Sequence, residues 1–126
     1  PNIRYLGGIY DPESINRIFK MADVFSIPGK VGLGVNQAFF WGLPIVTENV
    51  RHSPEIVYVK DGINGFIVDK HDTGMLADKI NLLLSADTVY QKFSDAARSE
   101  ILKNASIDGM CNGFIDAVRY LDRHAA

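Results

Sequence analysis

Residues 24–47 read VFSIPGKVGLGVNQAFFWGLPIVT, and this stretch decides the fold class. A run of branched and aromatic residues leads into a glycine-rich turn, then a helical pattern that stops at Gly42, and then a second apolar run. The order strand, turn, helix, strand is the repeating unit of a parallel sheet. In an open α/β sheet such a turn lies at the carboxyl end of a strand, where ligands usually bind. The stretch therefore predicts a fold class and the place of a site.

The rest of the chain continues this alternation and predicts an α/β fold, a parallel sheet with flanking helices. Four short apolar runs are the predicted strands, at residues 3–6, 24–27, 44–47 and 65–68. Runs this apolar suit strands that are covered on both faces. Asp11 followed by Pro12 predicts one helix start, and Asp72 predicts another. Four stripes at helical spacing predict core-facing residues: Ile15, Ile18, Phe19 and Ala22; Leu76, Ile80, Leu83 and Leu84; Val89, Phe93, Ala97 and Ile101; Met110, Phe114, Val118 and Leu121.

The composition is that of an ordinary globular protein, with 126 residues, 47% hydrophobic residues and a formal net charge of -2. It predicts one domain over residues 1–126 and no nucleic-acid partner, because the basic excess of a phosphate-backbone binder is missing. No apolar run reaches the roughly 20 residues that span a bilayer. Cys111, the single cysteine, is predicted to be a buried small hydrophobe in a cytoplasmic setting. Because Pro1 runs straight into a predicted strand, we expect a fragment of a longer protein.

The glycine-rich turn offers main-chain donors to a ligand. Near the predicted helix start, the N–H groups around Val31, Gly32 and Leu33 have no intrahelical partners, so they suit a phosphate or a sugar hydroxyl. Gly29 and Gly32, which have no side chains, would allow a ligand to approach the main chain closely. The alternative is a turn in which glycine serves the backbone alone. The motif is neither the phosphate loop GxxxxGK[ST] nor the dinucleotide fingerprint GxGxxG, so spacing alone leaves both interpretations open.

Five blocks in a fixed order resemble glycosyltransferase family 4, the group 1 glycosyltransferases. They lie at residues 5–7, 22–28, 42–46, 54–57 and 61–68, so the similarity covers nearly the whole chain. The resemblance implies a GT-B architecture, of which this chain is part of the Rossmann-like C-terminal domain. In that architecture the C-terminal domain binds a nucleotide sugar, and the acceptor binds mainly to a separate N-terminal domain.

The same resemblance implies which residues bind the donor, and it shows a departure from the family pattern. Two glutamates of that pattern align with Gly29 and Gln37, so both carboxylates are absent. Residues 28–33 match a PGxVGL variant found in bacterial enzymes that make surface polysaccharides. By similarity, the loop amides would bind the sugar and the distal phosphate, and Gln37 would bind the ribose. The first glycine turn, at Gly7 and Gly8, would lie against the base. The implied donor-binding residues are Gly7, Gly8, Gly29, Lys30, Val31, Gly32, Leu33 and Gln37.

The resemblance also implies a reaction. Family members transfer a sugar with retention at its anomeric carbon, without an essential metal, to a saccharide or lipid-linked acceptor in polysaccharide or glycoconjugate biosynthesis. The family's principal arginine and lysine would precede Pro1, so no catalytic residue is assigned here and the fragment alone is expected to be inactive. The intact enzyme would be cytoplasmic, and docking at the inner face of a membrane stays open. No cofactor or metal is implied.

Two alternatives remain. The chain could be a non-catalytic Rossmann-like binding module, since the two glutamates are missing, or part of a nucleotide-sugar epimerase of GT-B architecture. His52 and Glu55 lie three residues apart, as some metal ligands do, but no third ligand is near in sequence. We therefore expect no metal site.

The family pattern carries one more consequence for the fragment. In family members two strands precede residue 3 and lie between the first two strands predicted here. A strand without neighbours exposes unpaired N–H and C=O groups. The segment 3–6 should therefore shift, pair directly with residues 24–27, or recruit another chain, which predicts rearrangement or self-association.

Overall fold

A computed structural model describes residues 2–124, and within them three parallel strands form a sheet with helices on both faces. The strands are β1 (Phe25–Ile27), β2 (Ile45–Glu48) and β3 (Gly65–Val68), in the order β1-β2-β3. The helices are α1 (Pro12–Met21), α2 (Gly34–Phe40), α3 (Thr73–Ser85), α4 (Asp87–Asn104) and α5 (Ile107–His124), with a short 3-10 helix at Pro54–Tyr58. The predicted fold class is confirmed.

Both predicted helix starts are present and are capped by the predicted carboxylates. The Asp11 carboxylate accepts the Ser14 N–H at 3.0 Å, and the Asp72 carboxylate accepts the Met75 N–H at 2.8 Å. These bonds satisfy N–H groups that a helix start leaves without intrahelical partners. Hydrogen bonding from Ser14 also lowers the pKa of the Asp11 carboxyl below its usual value.

The core lies on both faces of β2, the central strand, whose four residues are all buried. Ile45 packs with Val35 and Phe39 of α2 on one face. Val46, whose side chain points to the opposite face, packs with Leu83 of α3 and Phe93 of α4. Helix α4 serves both layers, because its Ala97 and Ile101 join the first cluster. This arrangement explains why the predicted strands read as continuous apolar runs.

The turn before β3 is held by a buried asparagine and a glycine. The side chain of Asn64, 1% exposed, accepts the Lys60 N–H at 2.7 Å and donates to the Tyr58 carbonyl at 2.9 Å. At Gly65 a Cβ atom would lie 2.5 Å from the Ile45 Cγ2 and 2.6 Å from the Ile45 carbonyl oxygen. Only glycine lets β3 approach β2 this closely, so the sequence pair Asn64-Gly65 fixes where the third strand begins.

The predicted strand at residues 3–6 is wrong. These residues form no strand, and Ile3 and Tyr5 are 89% and 93% exposed. They do not pair with β1, so direct pairing of the two is wrong as well. The edge of β1 that faces away from β2 is unpaired within residues 2–124, but residues 3–6 do not join it, so they lack the ladder of hydrogen bonds that holds an extended segment in place. Rearrangement relative to family members and self-association both stay predictions.

The last helix forms as predicted, but its apolar stripe does not face a core. Met110, Phe114, Val118 and Leu121 are between 59% and 69% exposed, and no element within residues 2–124 packs extensively against them. Cys111 on the same helix is exposed, not buried. Periodicity shows that one face of a helix is apolar, and it does not show what covers that face.

The other stripes are confirmed in part. Leu83, Phe93, Ala97 and Ile101 are buried as predicted. The α1 stripe and the α3 residues Leu76 and Ile80 are half-buried, and Leu84 is 55% exposed. Among the described residues, no helix is long and apolar enough to cross a membrane.

Candidate functional site

The glycine loop, residues 28–33, connects the end of β1 to the start of α2. Strands β1 and β2 are parallel, with Ile27 opposite Thr47, so both strands end at the same edge of the sheet. The glycine loop therefore lies beside the segment that follows β2. This is the carboxyl edge at which the sequence places a site.

Gly29 has a backbone conformation that other residues rarely adopt. Its φ is +132°, and a Cβ atom built there would meet nothing within 4 Å. The requirement for glycine is therefore conformational and not a matter of space. By the resemblance, this is the position of the family's first glutamate. The loop follows a backbone path here that a glutamate would strain.

Thr47 of β2 fastens the first half of the glycine loop. Its side chain is fully buried, and its hydroxyl lies 2.9 Å from the Ile27 carbonyl oxygen and 3.3 Å from the Gly29 carbonyl oxygen. The hydroxyl thus holds the exit of β1 against the neighbouring strand. A valine of the same shape would fill the space and leave both carbonyls without this donor.

We expect Thr47→Val to lower the free energy of unfolding by about 1.5 kcal/mol, because it removes a buried donor and leaves its acceptors unsatisfied. Urea denaturation measures the change. The control is Thr88→Val, an exposed position in the first turn of α4 where we expect a change within about 0.5 kcal/mol. Equal losses in the two variants would contradict the role of the Thr47 hydroxyl.

His52 and Ser53, which follow β2, hold the second half of the glycine loop at Val31. The Val31 N–H donates to the His52 Nδ1 at 3.2 Å, and the Val31 carbonyl accepts the Ser53 N–H at 3.4 Å. The His52 Nε2 lies 2.8 Å from the Glu48 carbonyl oxygen. The Val31 side chain is 1% exposed and belongs to the core. The N–H of Val31 is thus engaged within the protein, which removes it from the predicted set of free donors.

The other predicted amides are available. Within residues 2–124 the N–H groups of Lys30, Gly32 and Leu33 find no hydrogen-bond acceptor. The Leu33 side chain is 73% exposed, and a Cβ atom on Gly32 would meet nothing within 4 Å. The outer side of the glycine loop is therefore open surface with main-chain donors, and the inner side is bonded to the segment after β2.

The remaining predicted residues lie apart from this open surface to different degrees. Gln37 is half-buried on α2, one turn beyond the glycine loop. Gly7 and Gly8 lie in the exposed segment before α1. Neighbouring residues of that segment line a cavity of about 510 Å³ against α1, and none of the glycine-loop residues lines it. Gln37 thus lies on the helix that directly follows the glycine loop. Within residues 2–124, the first glycine turn, at Gly7 and Gly8, shares no cavity with them.

Sequence reasoning missed the groups that fasten the loop, and it considered His52 only as a metal ligand. Both ring nitrogens of His52 are engaged, one by the Val31 N–H and one by the Glu48 carbonyl. Among the described residues, no group of three or more histidine, cysteine or acidic side chains could hold a metal ion. The Glu55 Oε2 atom is buried without a hydrogen-bond partner among these residues. The position of His52, a polar residue shortly after β2, was the one feature of the sequence that could have indicated its contact with the glycine loop.

The parallel sheet covered on both faces and the glycine loop at its carboxyl edge are the features of a Rossmann-like domain. The family described as "Glycosyl transferases group 1" matches residues 1–100. The chain therefore belongs to the group 1 glycosyltransferases.

A curated relative agrees with this membership, and solved structures share the fold. The chain is 31% identical to the D-inositol 3-phosphate glycosyltransferase of Corynebacterium diphtheriae, over 91% of the chain and 29% of that protein. The fold is similar to that of sucrose-phosphate synthase from Thermosynechococcus elongatus, with a TM-score of 0.76 at 19% identity over 93% of the chain and 30% of the synthase. It is also similar to that of a Staphylococcus aureus TarM variant crystallised with fondaparinux, α-GlcNAc-glycerol and UDP, with a TM-score of 0.71 at 20% identity over 80% of the chain and 21% of TarM. The chain thus spans less than a third of each of these proteins.

Proposed function

We propose that this chain is the donor-binding part of a glycosyltransferase that moves a sugar from a nucleotide-diphosphate sugar to a saccharide or lipid-linked acceptor. Membership of the group 1 family supports the reaction class. Because the chain spans 29% of the Corynebacterium relative, the transfer reaction is proposed for the longer polypeptide. The chain itself would bind the donor, and the acceptor would bind to a separate domain.

The observation that carries the proposal is the set of unpaired amides on the open side of the glycine loop. The N–H groups of Lys30, Gly32 and Leu33 lack acceptors within residues 2–124, at the edge of the sheet where ligands of open α/β folds bind. Phosphate oxygens are strong acceptors for such main-chain groups. A solved structure of similar fold contains UDP. We assign the distal phosphate and the sugar to these amides and the ribose hydroxyls to Gln37, whose amide can donate and accept.

The mechanism follows from where charge develops. When the bond between the anomeric carbon and the phosphate oxygen breaks, negative charge grows on the leaving diphosphate. Main-chain donors already aimed at that position stabilise the transition state, and losing one such donor costs about 3 kcal/mol in known cases. We propose retention at the anomeric carbon and no essential metal, in line with the family resemblance. The chain alone is expected to lack transfer activity, because the principal cationic residues would come from elsewhere.

Titration of the isotope-labelled chain with UDP tests the site. We expect the amide signals of residues 30–37 to shift as UDP is added and the shifts to reach saturation. Two-dimensional NMR measures these shifts. UMP, which lacks the distal phosphate, is the matched control, and its affinity should be about a hundredfold lower because it loses the amide–phosphate hydrogen bonds. The diphosphates of guanosine, adenosine and thymidine complete the set. If none of the four moves the signals of residues 28–37, the site assignment is wrong.

A non-catalytic module is the second candidate, and two residues favour it. Gly29 and Gln37 stand where the family pattern has carboxylates, and the φ of +132° at Gly29 shows that the loop is built for glycine. A binding module would take up the nucleotide and transfer nothing. Assays of the intact protein with a panel of donor sugars separate the two, since turnover of any donor excludes the module.

A further inference from the structure

The glycine loop and the segment after β2 meet through one imidazole ring. His52 Nδ1 accepts the Val31 N–H at 3.2 Å, while the ring's other nitrogen lies 2.8 Å from the Glu48 carbonyl oxygen. Both partners belong to the main chain, and one of them ends β2 while the other lies in the middle of the loop. The ring is half-buried, and Val31 is fully buried. A histidine side chain therefore joins two neighbouring segments at the carboxyl edge of the sheet.

This geometry specifies the protonation state of the ring. Because a main-chain N–H can only donate, Nδ1 must carry a lone pair and no proton. Because the Glu48 carbonyl can only accept, Nε2 must carry the proton. The bridge thus exists only for the neutral ring in its Nε2-H tautomer. Only the main-chain carbonyl of Glu48 contacts the ring. Its side-chain Oε1 accepts the His71 N–H at 3.1 Å instead.

The bridge decides which way the loop amides point. Val31 is held at its N–H by His52 and at its carbonyl by Ser53. The Val31 N–H and carbonyl are thus engaged and its side chain lies in the core, while the N–H groups of the next two residues find no acceptor within residues 2–124. Without the bridge, the loop retains the Ser53 bond and the Thr47 contacts, but the Val31 amide has no acceptor to hold it.

We propose that His52 is a positioning residue of the donor site, which fixes the glycine loop through the Val31 N–H so that the Gly32 and Leu33 amides face the nucleotide diphosphate. This proposal rests on the donor site proposed above. His52 does not touch the donor itself. It lowers the conformational cost of binding, because the loop is already ordered when the diphosphate arrives.

The first experiment tests the bridge in the absence of ligand. In the 15N-labelled chain, we expect the His52 ring nitrogens to report an unprotonated Nδ1 and a protonated Nε2. We also expect a measurable N–N scalar coupling across the hydrogen bond between the Val31 amide and Nδ1. A protonated Nδ1, or a wild-type chain without this coupling, would overturn the proposal.

The second experiment compares two substitutions. In His52→Leu both ring nitrogens are lost, so we expect UDP affinity to fall about fivefold and hydrogen exchange at the Val31 amide to accelerate by a similar factor, as for one lost hydrogen bond. In His52→Asn the side-chain oxygen can take the place of Nδ1 as an acceptor, so UDP affinity should stay within about twofold of wild type. A purely space-filling role predicts no such rescue, since asparagine is smaller than leucine in apolar volume.

The outcomes separate this proposal from the proposed function. If the wild-type chain binds no nucleotide, the function fails, and the exchange rate of the Val31 amide in His52→Leu still decides whether His52 holds the loop. If the wild-type chain binds UDP and His52→Leu binds it equally well, the donor site stands and the positioning role is wrong. Should His52→Leu fail to fold, His52→Asn together with the wild-type coupling decides the matter.

Discussion

Replacing Phe39 by alanine is expected to lower the free energy of unfolding by about 4 kcal/mol, as truncations of buried aromatic residues do. The Phe39 side chain is fully buried in α2 and packs with Val35 and Ile45 in the core cluster that also holds α4 residues. Removing the ring leaves a cavity between α2, β2 and α4 that rigid neighbours fill only in part. Because domains of this size are stable by roughly 5–15 kcal/mol, the variant would lie close to unfolding. Urea denaturation and thermal melting measure the loss.

The adjacent residue provides the matched control. Phe40 follows Phe39 on the same helix, but it is 47% exposed and makes a T-shaped contact with Trp41, with ring centroids 5.5 Å apart. The Arg98 guanidinium lies 5.3 Å from the centre of the Phe40 ring. We expect Phe40→Ala to cost about 1 kcal/mol or less. Comparable losses at the two positions would show that α2 does not pack against the sheet through Phe39.

The elements that the sequence predicts correctly are those whose signals are local in the chain. Asp11 with Pro12, and Asp72, predict the starts of α1 and α3, and both carboxylates cap these helices. The run at residues 44–47 was also sufficient, since a strand buried on both faces needs apolar residues on both. The apolar stripe of α4, from Val89 to Ile101, also packs into the core as predicted, since its residues contact both core clusters.

Elements whose environment lies outside their own sequence were not predictable. Residues 3–6 have the composition of a strand, but a strand exists only beside a partner, and within residues 2–124 they pair with none. Phe114 on α5 stands at the spacing of a core residue and is 69% exposed. In both cases the sequence describes a surface that can be buried. Whether it is buried depends on neighbours that periodicity does not specify.

The site was predictable in position and not in its hydrogen bonds. The strand-to-helix turn at residues 28–33 lies where the pattern places it, at the carboxyl edge of β1. The partner that engages Val31, however, lies 21 residues further along the chain. Thr47 likewise fastens Gly29 across 18 residues. Such pairings follow from strand register, which local sequence patterns do not specify.

Replacing Gly32 by leucine is expected to reduce UDP affinity by about a hundredfold while the chain stays folded. A Cβ atom at Gly32 would meet nothing within 4 Å, and its φ lies outside the left-handed region, so the new side chain fits without strain. It would, however, extend into the open space above the Gly32 and Leu33 amides, where the proposed phosphate binds. Losing two amide–phosphate hydrogen bonds of about 1.5 kcal/mol each corresponds to roughly a hundredfold in affinity. NMR titration with UDP measures it.

Gly113→Leu is the matched control, because it makes the same substitution at another glycine with open space around its Cβ position, on the exposed face of α5. Both substitutions shrink the conformational freedom of the unfolded chain and should leave stability unchanged or slightly raised. They differ only in whether the leucine covers the loop amides. UDP affinity should therefore be unchanged in Gly113→Leu and largely lost in Gly32→Leu. If Gly32→Leu binds UDP as well as the wild-type chain does, the phosphate does not lie on these amides, and the nucleotide must bind elsewhere on the sheet edge.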